Sequence, residues 1–216
     1  QNGTSPSPPA YNSGFVVDYA IRRITDSTAA SLMMSRLQGP KLLRTNTSTE
    51  TTNATIAAWD HMNGFCELTT VDSANIGYLF RRAPGFFDVL AYPGTGSAGT
   101  FNHNLKAEPE LMIVKARSRE DDWNVYSKPT GNSAYFRLNK TEAINNNVAL
   151  WNNTTPTISV FSLAGDGYGV NNSGHTFVAL LFASLNGISK VSTYTGTGSN
   201  VDVDCGFTAG ARFVVI

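Results

Sequence analysis

The chain has 216 residues, enough for one large domain or two of about 100 residues. Sixteen Lys and Arg balance sixteen Asp and Glu, and charged residues are only 15% of the chain, against roughly 25% in an average soluble domain. This balance argues against a nucleic-acid partner, which needs a basic stripe, and no run of 18 apolar residues is present for membrane insertion.

Residues 1–13 form a polar, Pro-rich N-terminal arm without the basic and apolar regions of a signal peptide. The missing initiator Met suggests processing or truncation upstream. Beyond the arm, 20 Asn, 23 Thr, 19 Ser and 19 Gly replace the missing charge, a composition suited to short strands and tight turns. Period-two apolar runs predict strands at Phe15–Ile21, Phe86–Tyr92, Leu111–Ala116, Trp123–Tyr126, Ile158–Leu163, Thr176–Phe182 and Val191–Tyr194. Turns are expected at Gly94-Thr95-Gly96, which reads as a hairpin, and at Gly165-Asp166-Gly167 and Asn172-Ser173-Gly174. Asp26–Leu37 has the caps and apolar spacing of a helix, yet the repeat described next aligns it with the strand near Asp122–Tyr126, and a strand is expected there.

The segment GFFDVLAYPGTGSAGTFNHNLKAEPELMIV from Gly85 recurs from Gly187 as GISKVSTYTGTGSNVDVDCGFTAGARFVVI, an offset of 102 held for 30 positions. Pro40–Trp59 and Ser133–Trp151 correspond more loosely, and Phe80 lies 102 residues before Phe182. The expected fold is therefore all-β, with two β-sandwich-like repeat units of about 100 residues. Residues 14–84 form a partial unit, 85–186 a complete one, and 187–216 the opening strands of a further unit. Those strands either complete 14–84, pair with a neighbouring subunit, or lead into further chain beyond Ile216, since exposed strand edges are aggregation hazards that folds cover; the bland alternative is a frayed, unpaired C-terminal strand.

The chemistry on offer is sparse. His61, His103 and His175 fit no metal-ligand spacing, and Gly94–Ser97 lacks the Lys and helix of a phosphate loop. The acidic pairs Glu108/Glu110, Glu120/Asp121/Asp122 and Asp202/Asp204 are not shared between the repeat copies and read as solvated faces. Trp59 and Trp151 hold matching repeat positions and read as core; Trp123 carries the sugar-stacking option. Cys66 and Cys205 read as free, buried thiols, with pairing left open. No catalytic residue, metal or cofactor is expected. The candidate surface-contact residues are Gly94, Thr95, Gly96 and Ser97 in one loop, and Asp166, Tyr168, Asn171 and Asn172 in another.

The blocks GFFDVLAYPGTG, ELMIVKARSREDDWNVY, SGHTFVALLFASLNGISKV and DCGFTAGARFVVI resemble a tandem β-repeat domain of marine bacteriophage virion proteins. These are mostly labelled tail-fibre or virion structural proteins and string several units together. The resemblance covers 85–216 well and 14–84 more weakly, and it carries no catalytic residues. It implies a non-enzymatic virion component that binds copies of itself and other virion proteins. A tail or head fibre contacting the host surface is the first expectation. A capsid decoration or cement protein is the alternative, and a module binding host glycan a further one.

Overall fold

Apolar residues alternate with polar ones along most segments, so each pleated strand has one side that must be covered. The computed structural model describes residues 10–49, 57–68 and 74–216; the arm up to Pro9 and part of the Asn/Thr-rich stretch before Trp59 lie outside them. Fifteen strands are present among the described residues. They are β1 (Tyr11–Asn12), β2 (Tyr19–Ile24), β3 (Leu32–Ser35), β4 (Leu43–Arg44), β5 (Ala57–Ala58), β6 (Gly64–Glu67), β7 (Asn75–Phe80) and β8 (Phe87–Pro93). They continue with β9 (Gly99–Asn102), β10 (Leu111–Ala116), β11 (Asn124–Ser127), β12 (Ala134–Arg137), β13 (Asn145–Asn146), β14 (Val160–Leu163) and β15 (Thr176–Phe182). The only helical element among the described residues is a single 3-10 turn at Arg36–Gln38. The fold is all-β and sandwich-like.

Four antiparallel sheets stack as four layers. The first, β1-β6-β5, covers one face of β4-β3-β2-β7, burying Tyr11, Ala20, Leu32, Met34, Trp59 and Phe65. The opposite face of that second sheet packs on the six-stranded sheet β13-β12-β11-β10-β15-β8 through Tyr19, Met33, Leu43, Phe87, Ile113, Trp123 and Val178. The far face of the six-stranded sheet is closed by β14-β9 over Tyr92, Tyr126, Trp151, Phe161 and Phe177. Thr176–Phe182, nearly continuous in apolar residues, is the strand buried on both faces.

The two larger sheets share strand order and register. In one, Tyr19 lies opposite Ser35 and Ile21 opposite Met33; in the other, Leu111 lies opposite Ser127 and Ile113 opposite Val125. Tyr19 also faces Phe80, as Leu111 faces Phe182. Leu32–Ser35 is a strand despite its helical spacing, because its alternate side chains serve two cores: Met33 one, Leu32 and Met34 the other.

Several expectations need correction. Tyr11 and Asn12, assigned to the N-terminal arm, pair with Phe65 and Gly64, because the fully buried Tyr11 ring stacks on Phe65. The strand expected over Phe15–Ile21 begins only at Tyr19, since Gly14 takes a positive φ and residues up to Asp18 form bends. Val191–Tyr194 is not a strand, and Tyr194 is 52% exposed. Gly94–Ser97 is not a hairpin, because β8 and β9 lie in different sheets. Cys66 and Cys205 are both free, as expected, but half-buried rather than buried.

Trp123 is 1% exposed and so unavailable for sugar stacking. It seals the joint between the halves, its indole N–H reaching the carbonyl oxygens of Arg44 at 3.0 Å and Thr47 at 3.2 Å. The same loop is held from the other side: the Asp121 amide donates to Ser48 at 2.9 Å. The buried Lys115 ammonium donates to that carbonyl too, at 3.2 Å. Replacing Trp123 with Ala removes a buried aromatic and strands two carbonyls. Chemical denaturation is expected to show a loss of about 4 kcal/mol, whereas Trp151→Phe, which keeps an aromatic ring and strands only the Ala134 carbonyl, loses less.

Candidate functional site

The candidate contact residues lie on two segments about 70 positions apart in the chain, and the sheets decide whether they meet. β8 runs alongside β15, Tyr92 opposite Phe177, so the loop leaving β8 meets the loop entering β15. β9 pairs with β14, Gly99 opposite Leu163, so the other ends of both loops are joined as well. Each loop is therefore pinned at both ends by a strand pair, and together they form one knot at the rim of the six-stranded sheet.

Asn171 is the centre of that knot. Its side chain is fully buried. The amide oxygen accepts from the Thr95 N–H at 2.8 Å, and the amide nitrogen donates to Ser97 O at 2.7 Å and Ala164 O at 3.0 Å. The backbones interlock too: Gly96 N–H donates to Asn171 O at 2.9 Å, Asp166 N–H to Gly96 O at 3.0 Å, and Gly94 N–H to His175 O at 2.8 Å. The glycines are required by proximity. A Cβ on Gly94 would overlap the Asn172 carbonyl, and one on Gly165 would come within 2.7 Å of Gly96 O. Beneath the knot the Tyr92 hydroxyl donates to Val170 O at 2.7 Å, and burial holds that phenol well above its ordinary pKa, as a neutral donor.

The knot divides the candidate residues into two groups. Asn171 and Asn172 face inward and hold the loops; Asn172 is buried and its side-chain oxygen accepts from Gly169 N–H at 3.1 Å. Gly94 and Gly96 are half-buried spacers. Thr95, Ser97, Asp166 and Tyr168 are exposed and form the outer surface, with Asp166 braced by the Ser173 N–H at 2.8 Å. Two residues outside the candidate contact set adjoin them. Ser118 and His175 meet at 3.3 Å where β10 and β15 end, and Ser118 Oγ accepts from Thr176 N–H at 2.9 Å. Nothing local could have paired them, since they are 57 positions apart. The surface is thus hydroxyl-rich, with one aromatic ring, one carboxylate and one imidazole: hydrogen-bonding and stacking groups without a strong charge.

Residues 14–216 match a domain of unknown function, DUF7483. The chain belongs to that family. No curated protein and no solved structure matches it. Among the described residues no group of three or more His, Cys, Asp or Glu side chains could hold a metal ion, and no helix is long and apolar enough to cross a membrane. Two of the acidic groups of this DUF7483 chain engage cations: Glu108 lies 3.0 Å and Glu110 3.9 Å from Lys128, and Asp121 lies 2.8 Å from Arg119 and Asp122 3.3 Å from Arg137, while Asp202 and Asp204 are exposed.

His103, just after β9, fastens the end of the β9–β14 pair away from the knot, its N–H donating to Ser159 O at 2.9 Å. Its Nδ1 accepts from Leu105 N–H at 3.3 Å, which leaves Nε2 protonated and donating to Thr157 O at 3.1 Å. Burial pushes its pKa below the ordinary value, against the opposing pull of the Thr157 hydrogen bond and Asp88. The unfolded chain therefore takes up a proton at about pH 6.5, while the folded chain resists until lower pH. Stability is expected to be full above that value and to fall as pH drops through it, levelling below the folded pKa. The melting temperature of His103→Gln, compared with the parent between pH 8 and pH 4, should lack this increment. Asn171→Ala is expected to cost about 2 kcal/mol and to open residues 94–98 to limited proteolysis.

Proposed function

We propose that this chain is a non-enzymatic bacteriophage virion structural protein, a tail- or head-fibre component that meets the host surface through the knot of residues 94–97 and 165–174. The observation that carries the contact role is Asn171, a buried amide spent on locking two distant loops into one rigid, outward-facing surface. A surface ordered before it meets its target loses little conformational entropy on binding. The exposed Thr95, Ser97, Asp166 and Tyr168 suit a polar, uncharged target such as host surface glycan, where hydroxyls hydrogen-bond and a tyrosine ring stacks. The virion assignment itself draws on the resemblance of residues 85–216 to phage virion repeats.

In this reading the layered sheets are a scaffold, and association with other copies and other virion proteins is part of the role. Neutral overall charge removes the long-range repulsion that would oppose packing many copies together.

A binding assay on host cells tests the contact role. The double variant Asp166→Ala/Tyr168→Ala is expected to lose at least tenfold in binding while keeping the parental circular dichroism, its melting temperature falling by only about 2–4 °C for the lost Ser173 N–H···Asp166 hydrogen bond. Equal binding by the variant overturns the role of this surface. Particle reconstruction tests the placement: a few copies at a tail or vertex agree with a fibre, hundreds spread over the shell make the chain a decoration protein, and absence from purified particles overturns the virion reading.

A further inference from the structure

Where the chain passes from β7 to β8 the surface opens into a cleft of about 510 Å³. It lies at the start of β8, the end remote from the knot. Val16 and Asp18 from before β2 line it, with residues 81–84, the first two residues of β8, and Asn104 and Lys106 from beyond β9. Three cations are among these residues, Arg81, Arg82 and Lys106, all of them exposed. Among the described residues no carboxylate pairs with Arg81 or Lys106. The Arg81 guanidinium lies 5.8 Å over the Phe15 ring, which holds it in place.

The two carboxylates of the cleft are both buried and already occupied. Asp18 accepts from the Arg82 N–H at 2.9 Å and lies 3.4 Å from the Arg82 guanidinium and 4.0 Å from that of Arg36. Asp88 accepts from the N–H groups of Val89 at 3.0 Å and Asn104 at 2.7 Å. These bonds also fix the backbone that carries the cations. The Gly85 N–H donates to Leu105 O at 2.6 Å, which ties the segment bearing Lys106 to the turn that follows Arg82. Lys106 itself is held left-handed at φ 58°, uncommon for a residue with a long side chain. The fold does not need these charges, as the other half shows. Glu110, directly before β10, accepts from the Ser184 N–H at 3.0 Å two residues after β15, just as Asp18, directly before β2, accepts from Arg82 two residues after β7. Ala183 and Ser184 there take the places of Arg81 and Arg82, and the same joint closes without a cation.

We propose that this cleft binds a sugar phosphate, its phosphoryl oxygens held by Arg81, Arg82 and Lys106 and its sugar ring lying on Val16 and Pro84. A phosphate monoester brings nearly two negative charges and three strong acceptor oxygens. The two unpaired cations match that charge, and Arg82 is a third donor already positioned by Asp18. Guanidinium groups present paired N–H donors that fit phosphate oxygens, and a lysine adds a point charge. The cleft is more than a phosphate group fills and lies in the size range of small-molecule sites. Half-buried Val16 and exposed Pro84 give the ring an apolar bed, and with the cations fixed on a hydrogen-bonded backbone little freedom is lost on binding.

Titration calorimetry on the full chain with glucose 1-phosphate, inorganic phosphate and glucose tests this independently of the host-contact reading. Glucose 1-phosphate is expected to bind about tenfold more tightly than either of the others, and to weaken about threefold between low salt and about 0.3 M salt. Arg81→Gln, and Lys106→Asn, which drops the charge for a residue that tolerates the left-handed backbone, are each expected to lose about tenfold with parental circular dichroism. Lys190→Gln, an exposed lysine outside the cleft, should bind as the parent does. No binding of glucose 1-phosphate at about 10 mM, far weaker than sites of this kind reach, would overturn the proposal. So would equal binding of glucose, full binding by both cleft variants, or an equal loss in Lys190→Gln. Inorganic phosphate binding as tightly as the sugar phosphate would overturn the place given to Val16 and Pro84.

Discussion

Both larger sheets are apolar on both faces, and from this the rest of the molecule follows. A sheet with one wet face needs one cover; a sheet such as β12-β11-β10-β15, with Met112 and Val114 on one side and Ile113 and Val125 on the other, needs two. The two sheets cover each other with one face apiece, and each recruits a small sheet for the face that remains. Four layers and three cores result. The three tryptophans mark them, Trp59 and Trp151 under the outer covers and Trp123 at the central joint.

The candidate contact surface is a by-product of this layering. Covering the six-stranded sheet requires the chain to leave β8, cross to β9 in another layer, and later return from β14 to β15. The two crossings occur at the same rim and must pass each other closely. Glycine at 94 and 165 lets the backbones approach, and Asn171 satisfies the amides and carbonyls that the crossing would otherwise bury without partners. What remains outside is a short row of polar side chains on a framework with little freedom to move. Host contact, in the reading proposed above, uses that rigidity.

The same layering explains the unusual state of residues 187–216. Their apolar alternation matches β8 to β10, of which β10 is buried on both sides where it pairs. Without a partner strand the same residues face water, and Ile188, Tyr194 and Val214 are exposed. Exposed alternation of this kind is a demand for an edge.

Much of this was readable in the chain itself. Leu111–Ala116 and Thr176–Phe182 are strands with the bounds their residues predict, because alternation and β-branched side chains act locally. The two candidate loops could be found from Gly, Asn and Asp alone, since those residues tolerate the backbone angles that tight crossings need. Other features depended on partners far away in sequence. Trp123 and Trp151 look alike in composition and context, yet only the packing shows that the first closes a joint against Arg44 and Thr47. Leu32–Ser35 carries helical spacing and becomes a strand because two cores compete for its alternate side chains. Val191–Tyr194 carries strand spacing and stands unpaired, because pairing is a property of two segments and not of one. Local side-chain chemistry therefore determined which segments can be strands and turns. Tertiary structure alone decided which strands find partners, which faces are covered, and which polar groups are left to meet another molecule.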